Sequence, residues 1–245
     1  MLRVENARKS FKGFQAVSEV SFSMEAGEVS AIIGPNGAGK TTLFNLLTGH
    51  LKPDKGRFFF RDREITGLPP YKICRLGMGR SFQITNIFPR LSVFENIQVA
   101  VMAWKQASRN IFVRSSKVLV KETQEILESV GLWDKRETSA GLLSHGDQRR
   151  LEFGITLGSH PSFLLLDEPT AGMSPAESAT TVELVRQVVE HWQLTLLFIE
   201  HDMNVVFDIA QSIRVMHMGS IIAEGSPEQI KANDEVQRIY LGEGP

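Results

Sequence analysis

The run GPNGAGKTT, residues 34 to 42, lies between the apolar SAII and the helix-patterned TTLFNLLTGH. Glycines at such a place let backbone N–H groups approach and cradle an anion, and a following helix adds partial positive charge at its N-terminus. Gly34, Gly39, Lys40 and Thr41 fill the fixed positions of the phosphate-binding loop pattern, and strand, loop and helix stand in the order that pattern needs. The feature commits the chain to an α/β architecture in which a buried strand delivers the loop. Gly34, Pro35, Asn36, Gly37, Ala38, Gly39, Lys40, Thr41 and Thr42 are therefore the candidate phosphate cradle, with Lys40 reaching the β- and γ-phosphates and Thr41 ligating Mg²⁺.

Two further continuous apolar runs, SFLLLDEP and LTLLFIEH, read like VSAIIG as strands buried on both faces of a parallel sheet. Each ends in polar residues, the usual placement of chemistry at the carboxyl ends of parallel strands. Asp167 is a candidate Mg²⁺ holder, and Glu168 is placed to polarise an attacking water. The N-terminal region differs. Val20, Phe22 and Met24 alternate onto one face, and GRFFFRDREI has the polar centre of a hairpin, which predicts an antiparallel β edge.

Residues about 84 to 155 predict helices, with Val120, Thr123, Leu127 and Val130 at helical spacing and Gly131 as a stop. A later helix begins at SPAE and carries Val182, Val185, Val189 and Trp192 on one core-facing stripe.

Composition removes several classes. With 42% hydrophobic and 22% charged residues and a net charge of −1, the chain reads as an ordinary folded protein without a broad basic footprint for nucleic acid. Cys74 is the only cysteine, which excludes an intramolecular disulfide and reads as a small apolar residue. MLRVENARKSF lacks a signal-peptide core, and no apolar run approaches the roughly 18 residues of a span, so a membrane link is expected to run through a partner.

GPNGAGKTT, Gln83 in RSFQITN, LSHGDQ, FLLLDEPT, AGMSP and His201 in IEHD follow one another in that order. Together they resemble the ATP-binding cassette (ABC) family of ATPases over essentially the whole chain. The resemblance implies an α/β P-loop NTPase fold with a parallel core sheet, an antiparallel β edge and an inserted helical subdomain. The ATP-binding core would span 1–83 and 156–245, and the signature subdomain 84–155. It further implies a head-to-tail dimer in which Ser144, Gly146 and Gln148 of one chain meet the ATP on the phosphate loop of the other. Gln83 is similar to the glutamine that senses Mg²⁺ and water, His201 to the histidine that contacts the γ-phosphate, and Phe11 to the aromatic that stacks on adenine, with Phe14 as a rival. Read without that company, SHGD is a helix cap.

Departures mark a subgroup. His145 and Asp147 stand where the signature often has Gly and Gln, and Ser174 stands where the loop after the carboxylates usually has Asp. AGMSPAE, LSHGDQRRLEF, IEHDM and the closing GSPEQIKANDEVQRIYLGE are similar to ATPase subunits of branched-chain amino-acid type importers. The implied partners are integral-membrane permease subunits docked near TNIFPRLSVFENI, a second ABC ATPase subunit and a substrate-binding protein, with no nucleic acid. The implied location is the cytoplasmic face of the cell membrane, the implied cofactors ATP and Mg²⁺. Competing readings are a soluble cassette ATPase that drives no transport, a module that has lost catalysis, and a lipid exporter. Lys105, Arg109, Arg114, Lys117 and Lys121, interleaved with Trp104, Ile111 and Phe112, read as a solvated edge or as a surface for anionic headgroups.

Overall fold

The computed structural model describes residues 1–81, 87–105 and 117–241. Two antiparallel strands, β1 (Leu2–Phe11) and β2 (Phe14–Met24), precede the short β3 (Val29–Ile33), which runs into α1 (Lys40–Leu47). Then come β4 (Lys55–Phe60), β5 (Arg63–Glu64), α2 (Pro70–Arg75) and β6 (Met78–Ser81). Among the described residues three α-helices follow, α3 (Val93–Trp104), α4 (Lys117–Ser129) and α5 (His145–Leu157), with two short 3-10 turns, Trp133–Lys135 and Ala140–Leu142, between the last two. The chain closes with β7 (Phe163–Asp167), α6 (Pro175–His191), β8 (Thr195–Ile199), α7 (Met203–Ile209), β9 (Ser212–His217), β10 (Ser220–Gly225), α8 (Pro227–Lys231) and α9 (Asp234–Leu241).

Two sheets result. The antiparallel one has the order β2-β1-β4-β5, and in it Val20, Phe22 and Met24 are buried while Glu19, Ser21 and Ser23 face out, as the alternation predicts. Arg61 and Asp62 both take positive φ, the geometry of a tight two-residue turn, and GRFFFRDREI is the hairpin β4–β5. The second sheet has the order β10-β9-β3-β8-β7-β6, parallel except for its edge strand β10. Every residue of β3, β7 and β8 is buried, which is why these strands read as unbroken apolar runs rather than alternating ones.

Register places the site. Ile32 of β3 pairs with Ile199 of β8, and Ile199 pairs with Asp167 of β7, so the three strands end in one row. The polar residues that follow each strand thus emerge together at the carboxyl edge of the sheet.

The helices α3, α4 and α5 pack on one another through Val93, Ile97, Val101, Leu119, Ile126, Leu127 and Leu151, a cluster continuous with the sheet residues Val29, Leu164 and Leu196. On α4 the buried stripe is Leu119, Thr123, Ile126 and Leu127; Val120 is 43% exposed, so the predicted stripe is displaced by one position at its start. Helix α4 ends as a Schellman motif: Leu132 N–H donates to Leu127 O at 2.8 Å and Gly131 N–H to Glu128 O at 3.1 Å, with Gly131 at φ +67°. Helix α6 begins with a capping box between Ser174 and Glu177 and Pro175 in its first turn, and the same Ser-Pro device, closed by Gln229, starts α8 at Ser226. Val182, Val185 and Val189 are buried on α6 as predicted. Trp192 lies just past its end and is only partly buried, its ring against His160 and His191. Cys74 is likewise half-buried. Among the described residues no helix is long and apolar enough to cross a membrane.

Candidate nucleotide site

A cleft of about 330 Å³ opens where the two sheets meet at the loop 34–39, lined by Phe11, Phe14, Ala16, Asn36 to Thr42, Glu168 and His201. The loop is shaped by close approach. A Cβ on Gly34 would lie 2.1 Å from Met216 O, and one on Gly39, which has φ +101°, would lie 2.1 Å from Ala16 O. No side chain fits at either position, so the loop can keep this close path only with glycine at both.

Lys40 opens α1 and is 6% exposed. Its Nζ donates to Gly34 O at 2.6 Å and Pro35 O at 3.1 Å, so carbonyls of its own loop hold the ammonium. Burial lowers the Lys40 pKa below the ordinary lysine value, against the opposing attraction of Glu168 and Asp167.

Asp167 ends β7 with 3% exposure. Burial raises its pKa, Glu168 adds to that, and the Arg80 guanidinium works in the opposite direction. Arg80 Nη2 donates to Asp167 Oδ2 at 2.8 Å, while Nη1 donates to Asn45 Oδ1 at 2.6 Å and Thr48 Oγ1 at 3.3 Å on α1. Glu168 follows with φ +55°, a left-handed conformation rare for a non-glycine residue and concentrated at functional sites. Its N–H donates to Ile199 O at 3.0 Å, and its Oε1 lies 2.7 Å from His201 Nε2.

The donor set fits Mg²⁺. Thr41 lines the cleft and Asp167 ends β7 next to Glu168, so both offer hard oxygens there, and among the described residues no cluster of three or more His, Cys, Asp or Glu side chains competes as a protein-only cage. An ion that keeps water and phosphate oxygens in its shell needs only one or two protein ligands.

The signature residues do not line this cleft. Ser144 caps α5, its Oγ accepting from Asp147 N–H at 3.2 Å and donating to Asp147 Oδ2 at 2.9 Å. Burial pushes the Asp147 pKa up, but hydrogen bonds from Lys135 and Ser144 overcome it and hold the carboxyl below its ordinary value. Gly146 faces open space, and Gln148 Nε2 donates back to Leu143 O at 3.2 Å. Ser174 spends its side chain on the α6 capping box. Gln83 lies outside the described residues, as do Arg109, Ile111, Phe112 and Arg114 of the basic segment, whereas Lys105 pairs with Glu122 and Lys121 with Glu125. In TNIFPRLSVFENI, buried Asn96 bonds both the N–H and the carbonyl of Phe88 and leaves that ring 52% exposed.

Sequence reasoning missed Arg80 and Glu200. Both interrupt or close a buried strand with a charge, which is the signal that finds such residues. Phe11 and Phe14 pair directly across the turn between β1 and β2, and both line the cleft, so the rivalry between them stays open.

The family model described as ABC transporter matches residues 17–171, and one described as branched-chain amino acid ATP-binding cassette transporter matches residues 220–245. The chain is 38% identical to the high-affinity branched-chain amino acid transport ATP-binding protein LivG of Escherichia coli, over 99% of this chain and 98% of that one. It is also 38% identical to the BraF protein of the same description from Pseudomonas aeruginosa, over the same shares. A solved ATP-binding cassette of an ABC transporter in its ADP conformation superposes with a TM-score of 0.86 at 34% identity, covering 99% of both chains. A nucleotide-free cassette superposes with a TM-score of 0.83 at 32% identity, again over 99% of both.

Proposed function

The chain belongs to the ABC transporter family of ATPases, and from that premise we propose that it is the ATP-binding and hydrolysing subunit of an importer for branched-chain amino acids or related small polar solutes. The observation that carries this reading is likeness along the entire length to transport subunits of that description, extending to the C-terminal segment 220–245. A lipid exporter or a soluble cassette that drives no transport has no comparable support.

In this mechanism the loop 34–39 and Lys40 take the β- and γ-phosphates, while Phe11, or its rival Phe14, stacks on adenine. Thr41, Asp167 and Gln83 would hold Mg²⁺, which when bound would neutralise charge on the phosphates. Glu168 takes a proton from the water that attacks the γ-phosphorus, the bond to the β-phosphate oxygen breaks, and ADP and phosphate leave. The hydrogen bond to His201 fixes the Glu168 carboxylate toward that water. Ser144, Gly146 and Gln148 lie apart from the cleft of their own chain, which suits a role on the ATP of a second cassette, where the α5 N-terminus would add its dipole. Closure would pass through the 84–155 subdomain to permease subunits at the Phe88 surface, with the chain peripheral to the cytoplasmic face of the membrane and a substrate-binding protein in the wider system.

Affinity capture of the tagged chain from detergent-solubilised native membranes tests the assignment. Integral-membrane permeases and a sister cassette are the expected partners, and leucine uptake is the activity to assay. Recovery of soluble partners alone overturns the transport reading and leaves the nucleotide chemistry standing.

A further inference from the structure

Glu200 closes the apolar run of β8 with a carboxylate only 3% exposed. Its Oε1 accepts the Thr170 N–H at 2.8 Å and the Thr170 hydroxyl at 2.5 Å, and its Oε2 accepts the His201 N–H at 3.0 Å. Thr170 follows Glu168 by two residues, and His201 is the next residue after Glu200. One buried side chain therefore ties together the two loops whose tips carry the Glu168 Oε1 and His201 Nε2 pair. The backbone adds a second tie at this junction, Glu168 N–H to Ile199 O at 3.0 Å.

We propose that Glu200 is a positioning residue for ATP hydrolysis: it clamps the loop of Glu168 to the loop of His201 so that base and imidazole stay in hydrogen-bond register. The clamp also fixes the start of the stretch 170–174, which ends at the Ser174 cap of α6. Three donors converge on it, and a carboxylate has acceptor capacity for all of them. A glutamine offers one oxygen, and its NH₂ would face either the His201 N–H or the Thr170 donors, so one of the two loops loses its anchor. The phosphate cradle is built by β3 and α1, on backbone that Glu200 does not touch. The proposal rests on the roles given to Glu168 and His201.

The test is steady-state ATP turnover, fluorescent-nucleotide binding and thermal melting of the full chain for E200Q, T170V, H201A and the pair E200Q/H201A. E200Q is expected to lower kcat about 10- to 100-fold, the scale of a misplacement near 1 Å, with KM and nucleotide affinity within about twofold of the parent. T170V keeps one donor and is expected to lose only a few-fold. E200Q/H201A should be no slower than H201A, because the clamp acts through the histidine. A parental kcat in E200Q while H201A is slow overturns the clamp. Parallel loss of nucleotide binding and melting temperature in both E200Q and T170V overturns positioning in favour of general support of the fold. A parental rate in H201A overturns the reading of His201 itself, and the clamp with it.

Discussion

His201 Nε2 lies 2.7 Å from Glu168 Oε1 although 33 positions separate the two residues. The pairing of Asp167 with Ile199 in adjacent parallel strands brings them together, since each residue follows its strand end by one or two positions. The contact defines a carboxylate and imidazole at the rim of the phosphate cleft.

Glu168→Gln is expected to leave ATP binding within about twofold and to slow turnover about 10²- to 10⁴-fold, the range of a lost general base. Size-exclusion chromatography with ATP should then show an accumulating dimer. A variant that hydrolyses ATP at the parental rate would refute the role.

Arg80→Gln leaves the buried Asp167 carboxylate without its guanidinium and is expected to destabilise the fold by about 3–5 kcal/mol near neutral pH. Burial already holds the Asp167 pKa above its ordinary value, and loss of Arg80 removes an opposing pull. A carboxyl raised in the folded state binds its proton more readily folded than unfolded, so its penalty applies at high pH and fades as pH falls through the raised value. Urea unfolding in EDTA should therefore show a smaller gap between variant and parent on acidification. Adding Asp167→Asn should recover most of the loss at neutral pH.

Ser144→Ala removes the α5 cap and is expected to cost about 1 kcal/mol in thermal melting. Nucleotide affinity of the isolated chain should not change, because Ser144 does not line its own cleft. Turnover under conditions that dimerise the chain should fall at least about tenfold if the residue meets the partner's phosphate. A parental turnover with the same stability loss would reduce Ser144 to a cap.

Phe11→Ala is expected to weaken ATP binding by roughly 0.5–1.5 kcal/mol, and GTP by a similar amount, since stacking uses the face of the base and not its edge. Fluorescence titration of this variant beside Phe14→Ala decides between the two rings. A loss confined to Phe14→Ala transfers the role across the turn.

Local rules were enough for much of this protein. The loop 34–42, the three buried runs, the β-edge alternation and the Ser-Pro start of α6 are properties of neighbouring residues, and each formed where its pattern placed it. The start of α4 did not follow, because helical spacing gives the period of a stripe while packing against α3 and α5 sets its angle, and Leu119 rather than Val120 turned inward. Sequence alone also named Lys40, Asp167, Glu168 and His201. It held no sign of which charges meet: the bonds of Arg80 to Asp167, Asn45 and Thr48, and of Glu200 to Thr170 and His201, join positions far apart in the chain. Strand order and register decide those contacts, and both arise from burying β3, β7 and β8 side by side, a long-range choice that no local window contains.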